Sequence, residues 1–151
     1  MVMTGTIFTI GYEAATLSQV ISTLKAAGVS QVVDVRAVAA SRRAGFSKTI
    51  LRNSLEAEGI AYVHLRALGT PKDGRDAARK GRVAAMERIF NNHMATPEAQ
   101  DELAKASVIV MEKPSALLCF ESCADGCHRR IVADLIRSAT GCDVQHLETA
   151  T

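Results

Sequence analysis

Three of the four cysteines, one of the four histidines and two adjacent arginines fall within fourteen residues, from Leu117 to Arg130. That stretch starts as a short apolar run, passes through a small Gly-containing turn and leads into an amphipathic helix. A strand that empties through such a turn onto a helix N-terminus offers backbone N–H groups, which favour anions. Cys127 falls at or beside the expected helix start. There the helix dipole and Arg129 or Arg130 would stabilise a thiolate, which makes Cys127 the candidate nucleophile. The plainer alternative is that Cys127 packs the turn as a small, half-buried residue.

The same stretch supplies soft metal ligands in Cys119, Cys123, Cys127 and His128. Its C-x3-C-x3-C spacing departs from the paired knuckles of structural zinc sites, and Cys119 is expected to turn into the sheet's packing. No metal and no cofactor is therefore expected. Phosphate recognition is the third chemistry on offer. Arg36, Arg43 and Lys48 belong to a run with no acid among residues 37–52, and with His128 and Arg129 they form the candidate anion-binding set. Tyr12, His64 and Glu121 are candidates for proton transfer or positioning. Asp34 is expected either to join them or simply to hold Arg36 by an ion pair.

These residues need elements to position them, and the chain supplies them in a regular order. Ile7–Ile10, Val32–Val35 and Ile60–Leu65 read as strands. Between them lie helices, one opened by the capping box Thr16-Leu-Ser-Gln19 and stopped at Gly28, the next carrying Leu51 and Leu55. A helix over roughly residues 76–94 follows, with Val83, Met86, Ile89 and Phe90 inward. Another starts at Thr96-Pro97. Residues 107–111 fit either its continuation or a strand. Ser115–Phe120 reads as a strand, residues 128–139 as a helix and Val144–Leu147 as a short last strand. Alternating strands and helices with short connections predict a single α/β domain over residues 1–151, with a mostly parallel sheet of about five strands flanked by helices. Tyr12, Arg36, His64, Cys119 and Glu121 then gather at the C-terminal strand ends, where open parallel sheets bind ligands.

Composition narrows the classes. An apolar fraction of 48% in 151 residues supports a real core. No run approaches the roughly 18 apolar residues of a membrane span, and the N-terminal residues lack signal-peptide features. A cytoplasmic protein with reduced thiols and no membrane partner is expected. The net charge of +2 hides an uneven distribution: Arg36–Arg88 holds twelve Lys and Arg against five Asp and Glu. That imbalance suggests an anionic ligand met on one side of the molecule. With no Trp and only six aromatics, extended nucleic acid ranks below a small phosphorylated or nucleotide-like ligand, with nucleic acid as the alternative partner.

Several blocks recur together in one known family. Thr9–Tyr12, Asp34-Val-Arg36, Ser41-Arg-Arg43 with Gly45–Lys48, Tyr62–Leu65 with Leu68-Gly69, and Leu118–Glu121 before Cys127-His-Arg129 resemble the prokaryotic family catalogued as domain of unknown function 488. The resemblance implies a compact α/β domain and assigns no reaction. It includes Cys127-His-Arg129 and leaves Cys123 out. The form C-x-x-G-x-x-R over Cys123–Arg129 is similar to the phosphate-binding loop of cysteine-dependent phosphatases, although Ser122 stands where those have His. An early Asp-Val-Arg strand and a late cysteine loop are also similar to rhodanese sulfurtransferases. The function expected is a thiol-dependent hydrolase or transferase acting on a small anionic substrate. The alternative is a binding protein that uses the same basic residues without covalent chemistry.

Overall fold

The computed structural model describes residues 5–121 and 124–149, so Cys123 and Ser122 lie outside the described residues. Five strands, β1 (Thr6–Gly11), β2 (Gln31–Asp34), β3 (Ala61–His64), β4 (Ser115–Cys119) and β5 (Asp143–His146), form one sheet in the order β3-β2-β4-β1-β5. Every neighbouring pair is parallel. The α/β expectation holds.

Helices α1 (Leu17–Ala26) and α2 (Lys48–Ala57) cover one face. There Val20, Leu24, Leu51 and Leu55 pack on Ile10, Val32, Ala116 and Leu118. The other face carries α3 (Lys72–Arg79), α4 (Val83–Met94), α5 (Pro97–Glu112) and α6 (His128–Thr140). Met86, Phe90, Ala106, Val132 and Ile136 meet Ile7, Val33, Leu117 and Cys119 there. Strand residues alternate between these two apolar layers, which is why β2 and β4 are buried along their whole length. β4 lies between β1 and β2, yet the helix that follows it covers the opposite face from α1 and α2. Neighbouring strands therefore send their chains to opposite sides, which opens a crevice at their C-terminal ends.

Local signals set the helix starts as expected. Thr16 and Gln19 close a reciprocal capping box, and Thr96 caps α5 with Pro97 in its first turn. Two readings are corrected or decided. The single helix over residues 76–94 is two helices, because Gly81 takes a left-handed φ of 75° and the N–H of Arg82 returns to the carbonyl of Ala77. The break turns Met86, Phe90 and Met94 onto the sheet while α3 lies across the strand ends. Residues 107–111 continue α5, since Ala99, Ala106 and Val110 are buried at helical spacing and Val108 is 62% exposed.

Register aligns the site's strands. Gly11 pairs with Cys119, Asp34 with Leu118 and Asp34 with His64, so the residues just beyond them leave the sheet at one level. Gly11 also permits the backbone of Glu121 to lie against β1: a Cβ there would overlap the Glu121 carbonyl and meet the Arg129 guanidinium. Gly11→Ala is therefore expected to lower unfolding free energy by about 3 kcal/mol, the upper range for overpacking. Gly5→Ala, which meets nothing within 4 Å, should fall within about 0.5 kcal/mol of wild type. Urea unfolding of both variants checks the contrast, and equal midpoints would refute it.

Candidate functional site

A cavity of about 480 Å³ opens beyond the ends of β1, β2 and β4. Its wall includes Tyr12 after β1, Arg36 after β2, and Cys119, Phe120 and Glu121 where β4 ends. The loop after β2 contributes Arg42, and α3 contributes Arg75 and Arg79. Gly126 and His128 close the floor at the start of α6.

The most constrained group is Asp34, fully buried at the end of β2. One oxygen accepts from Arg36 Nε at 2.9 Å and from the Arg36 backbone N–H at 3.1 Å. The other accepts from Arg36 Nη2 at 2.7 Å and from the Tyr62 hydroxyl. Arg36 also donates to the Tyr12 hydroxyl at 3.0 Å and to the Phe46 carbonyl at 2.7 Å. Burial pulls the Arg36 guanidinium down, but the hydrogen bond and charge of Asp34 outweigh it, and the net shift is upward. Burial and the Asp34 carboxylate together push the Tyr62 hydroxyl up, so it stays protonated as a donor. The ring of Tyr12 stacks on Phe46 at 4.1 Å between centroids and meets Phe120 edge-on. The charge of Arg36 is thus matched within the protein, and its role is to fix the loop and Tyr12.

On the floor, Cys127 is the N-cap of α6, and its sulfur accepts the Arg129 backbone N–H at 3.4 Å. Cys127 is 1% exposed and is paired with Cys119 in a disulfide. The expectation of reduced thiols therefore fails for these two cysteines, which the fold brings together from the end of β4 and the start of α6, and Cys127 has no free thiol to act as a nucleophile. Cys119 reaches the cavity wall with its sulfur 3.2 Å from Glu121 Oε2. Arg129 is wholly buried; its Nη1 donates to the Glu121 carbonyl and lies 3.7 Å from the Cys119 sulfur. His128 places Nε2 2.8 Å from the Val35 carbonyl and Nδ1 3.8 Å from the Cys127 sulfur. Burial pushes its imidazole down to about 4, so it is neutral at pH 7. Burial raises Glu121, against the lowering effect of its backbone hydrogen bond and the Arg129 charge.

Tyr12, Arg36, Glu121 and His128 therefore share one cavity, with Cys127 and Arg129 directly behind its floor. The remaining candidates lie apart from it. Arg43 is exposed and donates to the Ala15 carbonyl, and Lys48 is exposed at the start of α2. His64 holds the Arg36 carbonyl at 2.7 Å from strand β3. Cys119 is not merely packing: as the last residue of β4 its sulfur reaches both the core and the cavity. Sequence reading counted Arg75 and Arg79 only among the five basic residues of the stretch Arg75–Arg88 and did not single out Phe120. The available signal was the spacing of Arg75 and Arg79, four apart and so on one helix face.

Matched against protein-family models, residues 16–136 fit the family described as domain of unknown function DUF488. The chain belongs to the DUF488 family. No curated protein and no solved structure matches it. The DUF488 span runs from the cap of α1 into α6 and so contains Asp34, Arg36, Cys119 and Cys127. The Thr9–Tyr12 block lies just ahead of it. Among the described residues no helix is long and apolar enough to cross a membrane.

Removing one member of a buried ion pair leaves an uncompensated charge. Asp34→Ala is expected to destabilise the fold by about 3–5 kcal/mol. Asp34→Ala combined with Arg36→Met should recover part of that loss. Urea denaturation of both variants measures it, and a double variant no more stable than Asp34→Ala would contradict the account.

Proposed function

We propose that this protein binds a small phosphate-bearing or nucleotide-like ligand in the cavity beyond the ends of β1, β2 and β4. The observation that carries the reading is the concentration of guanidinium groups on its wall. Arg42, Arg75 and Arg79 come from two separate elements and face the same space. Arg75 is anchored by donating to the Thr70 carbonyl at 2.9 Å, which leaves further donors on the same planar group. Arg79 holds Asp76 at the rim, and Arg42 is exposed. Guanidinium groups suit phosphate because their fork of donors matches two oxygens at once. The cavity volume lies within the roughly 300–1,000 Å³ usual for small-molecule sites. Phe120, 43% exposed, offers a flat apolar surface at the same wall for a ring.

Cys119 reaches the wall, and Cys127, paired with it in a disulfide, lies behind. That arrangement supports ligand binding ahead of nucleophilic attack by Cys127. Nucleic acid is the competing ligand, supported by exposed Arg42 and Arg79, but a single exposed ring provides little stacking.

Calorimetric titration with inorganic phosphate and nucleoside monophosphates tests the reading. Arg42→Ala and Arg75→Ala are each expected to weaken binding about tenfold, equivalent to roughly 1.4 kcal/mol. Affinity unchanged in both variants would sink it. Anisotropy with labelled single-stranded RNA and DNA separates the alternative: tight binding that falls steeply with salt, with no binding of mononucleotides, would favour nucleic acid.

A further inference from the structure

We propose that the Cys119–Cys127 disulfide is a thiol–disulfide exchange site for small acidic thiols entering the arginine-lined cavity, with Cys119 as the sulfur attacked and Cys127 as the leaving group. The bond joins the end of β4 to the start of α6. Its cysteines are only 8 positions apart, so it constrains the unfolded chain less than a long-range bridge does. Strand pairing and the N-cap already hold its two ends. A bond that adds little as a staple, yet stands at a cavity, is placed for exchange.

Two asymmetries fix the direction of attack. Cys119 belongs to the cavity wall and Cys127 lies behind it, so an entering thiolate meets the Cys119 sulfur first. Cys127 is the N-cap of α6, and its sulfur accepts the Arg129 backbone N–H at 3.4 Å. The helix dipole and that N–H stabilise a thiolate there, and a lower thiol pKa makes a faster leaving group. The reduced state also finds its partners in place. The Val35 carbonyl can only accept, so His128 carries its hydrogen on Nε2, and its Nδ1, 3.8 Å from the Cys127 sulfur, can accept from reduced Cys127. Glu121 Oε2, 3.2 Å from the Cys119 sulfur, accepts from reduced Cys119, and Arg129 Nη1 lies 3.7 Å from the same sulfur.

The exchange balances with two thiols as the reductant. The first gives its proton to the Glu121 carboxylate, whose proton affinity burial raises. Its sulfur bonds to Cys119 as the Cys119–Cys127 bond breaks, and the electron pair of that bond leaves on Cys127. A second thiolate attacks the incoming sulfur of this mixed disulfide and releases Cys119, which takes the proton from Glu121. The second thiol's proton passes through water to Cys127. Two thiols are thereby oxidised to one disulfide, and the protein pair is reduced by two electrons. Both cysteines are 1% exposed, which leaves a small molecule rather than a folded protein to reach them. Arg42, Arg75 and Arg79 on the wall favour a thiol that carries carboxylates. The exchange itself does not depend on phosphate binding, whereas the preference for acidic thiols rests on the same arginines as that reading.

Mass spectrometry of the full chain, with free thiols alkylated under native conditions, tests the site. Glutathione, an acidic thiol, is expected to open the disulfide without denaturant, and acid quenching during the reaction should trap glutathione on Cys119. Cys127→Ser treated with oxidised glutathione should carry the same adduct on Cys119, whereas Cys119→Ser should leave Cys127 unmodified. Cys123→Ser and Cys142→Ser should react as the wild type does. Where a variant fails to fold, the adduct trapped on the wild-type chain decides. Mercaptopropionate should reduce the site about tenfold faster than the cationic thiol cysteamine, once each is scaled to its rate on a free small disulfide. Arg42→Ala combined with Arg75→Ala should remove that preference. A disulfide that opens only in urea, glutathione trapped on Cys127, or equal scaled rates for the two thiols overturns the proposal. Phosphate titrated into the oxidised protein keeps the two readings apart. Exchange without phosphate binding removes only the phosphate-ligand reading, and phosphate binding without exchange removes only the exchange site.

Discussion

At the end of β2 a carboxylate is taken out of water and enclosed by donors. Asp34 accepts a forked pair of bonds from Arg36, a backbone N–H and the Tyr62 hydroxyl, while Arg36 reaches on to Tyr12 and the Phe46 carbonyl. Removing both charges from water is costly, and the cost is offset only because nearly every donor and acceptor finds a partner at good distance. One interaction thereby ties the ends of three strands to the loop that closes over them. The positions of Arg42 on that loop and of the Tyr12 ring on the cavity wall follow from it.

The cavity floor depends on a second constraint, the close approach of Glu121 to Gly11. That contact brings the segment after β4 back against β1 and lets Arg129 reach the Glu121 carbonyl from α6. A buried arginine then stands beside two buried sulfurs. Groups that would each be unfavourable alone in an apolar interior are arranged so that charge and hydrogen bonding balance locally. The result is a basic wall above a soft, nitrogen- and sulfur-rich floor.

Much of the architecture was legible from the chain. Thr16 with Gln19 and Thr96 with Pro97 set helix starts through contacts within four residues, and those signals were correct. The apolar runs of β1, β2 and β4 marked buried parallel strands because both faces of each are covered. Less legible was the stretch around Gly81. A glycine inside a helical pattern is compatible with continuation or with a break, and the packing of Met86 and Phe90 on the sheet decided for a break. The ambiguity at residues 107–111 had the same origin, since a short apolar run lacks a period of its own until its neighbours cover one side.

By itself the sequence determined the α/β class, the family to which the chain belongs, and the gathering of polar residues at the C-terminal strand ends. Periodicity and capping act over a few residues, and strand ends are fixed once the strands are. Only the tertiary structure decided which of those residues share a space. It set Arg36 to hold the loop and Arg43 to hold Ala15, and it brought Arg75 and Arg79 from α3 to the wall. It also joined Cys119 to Cys127 and His128. Spacing along the chain placed Cys119 in the sheet's packing. In space, the last residue of a strand and the first of a helix meet at the same crevice, because the chain between them folds back against Gly11.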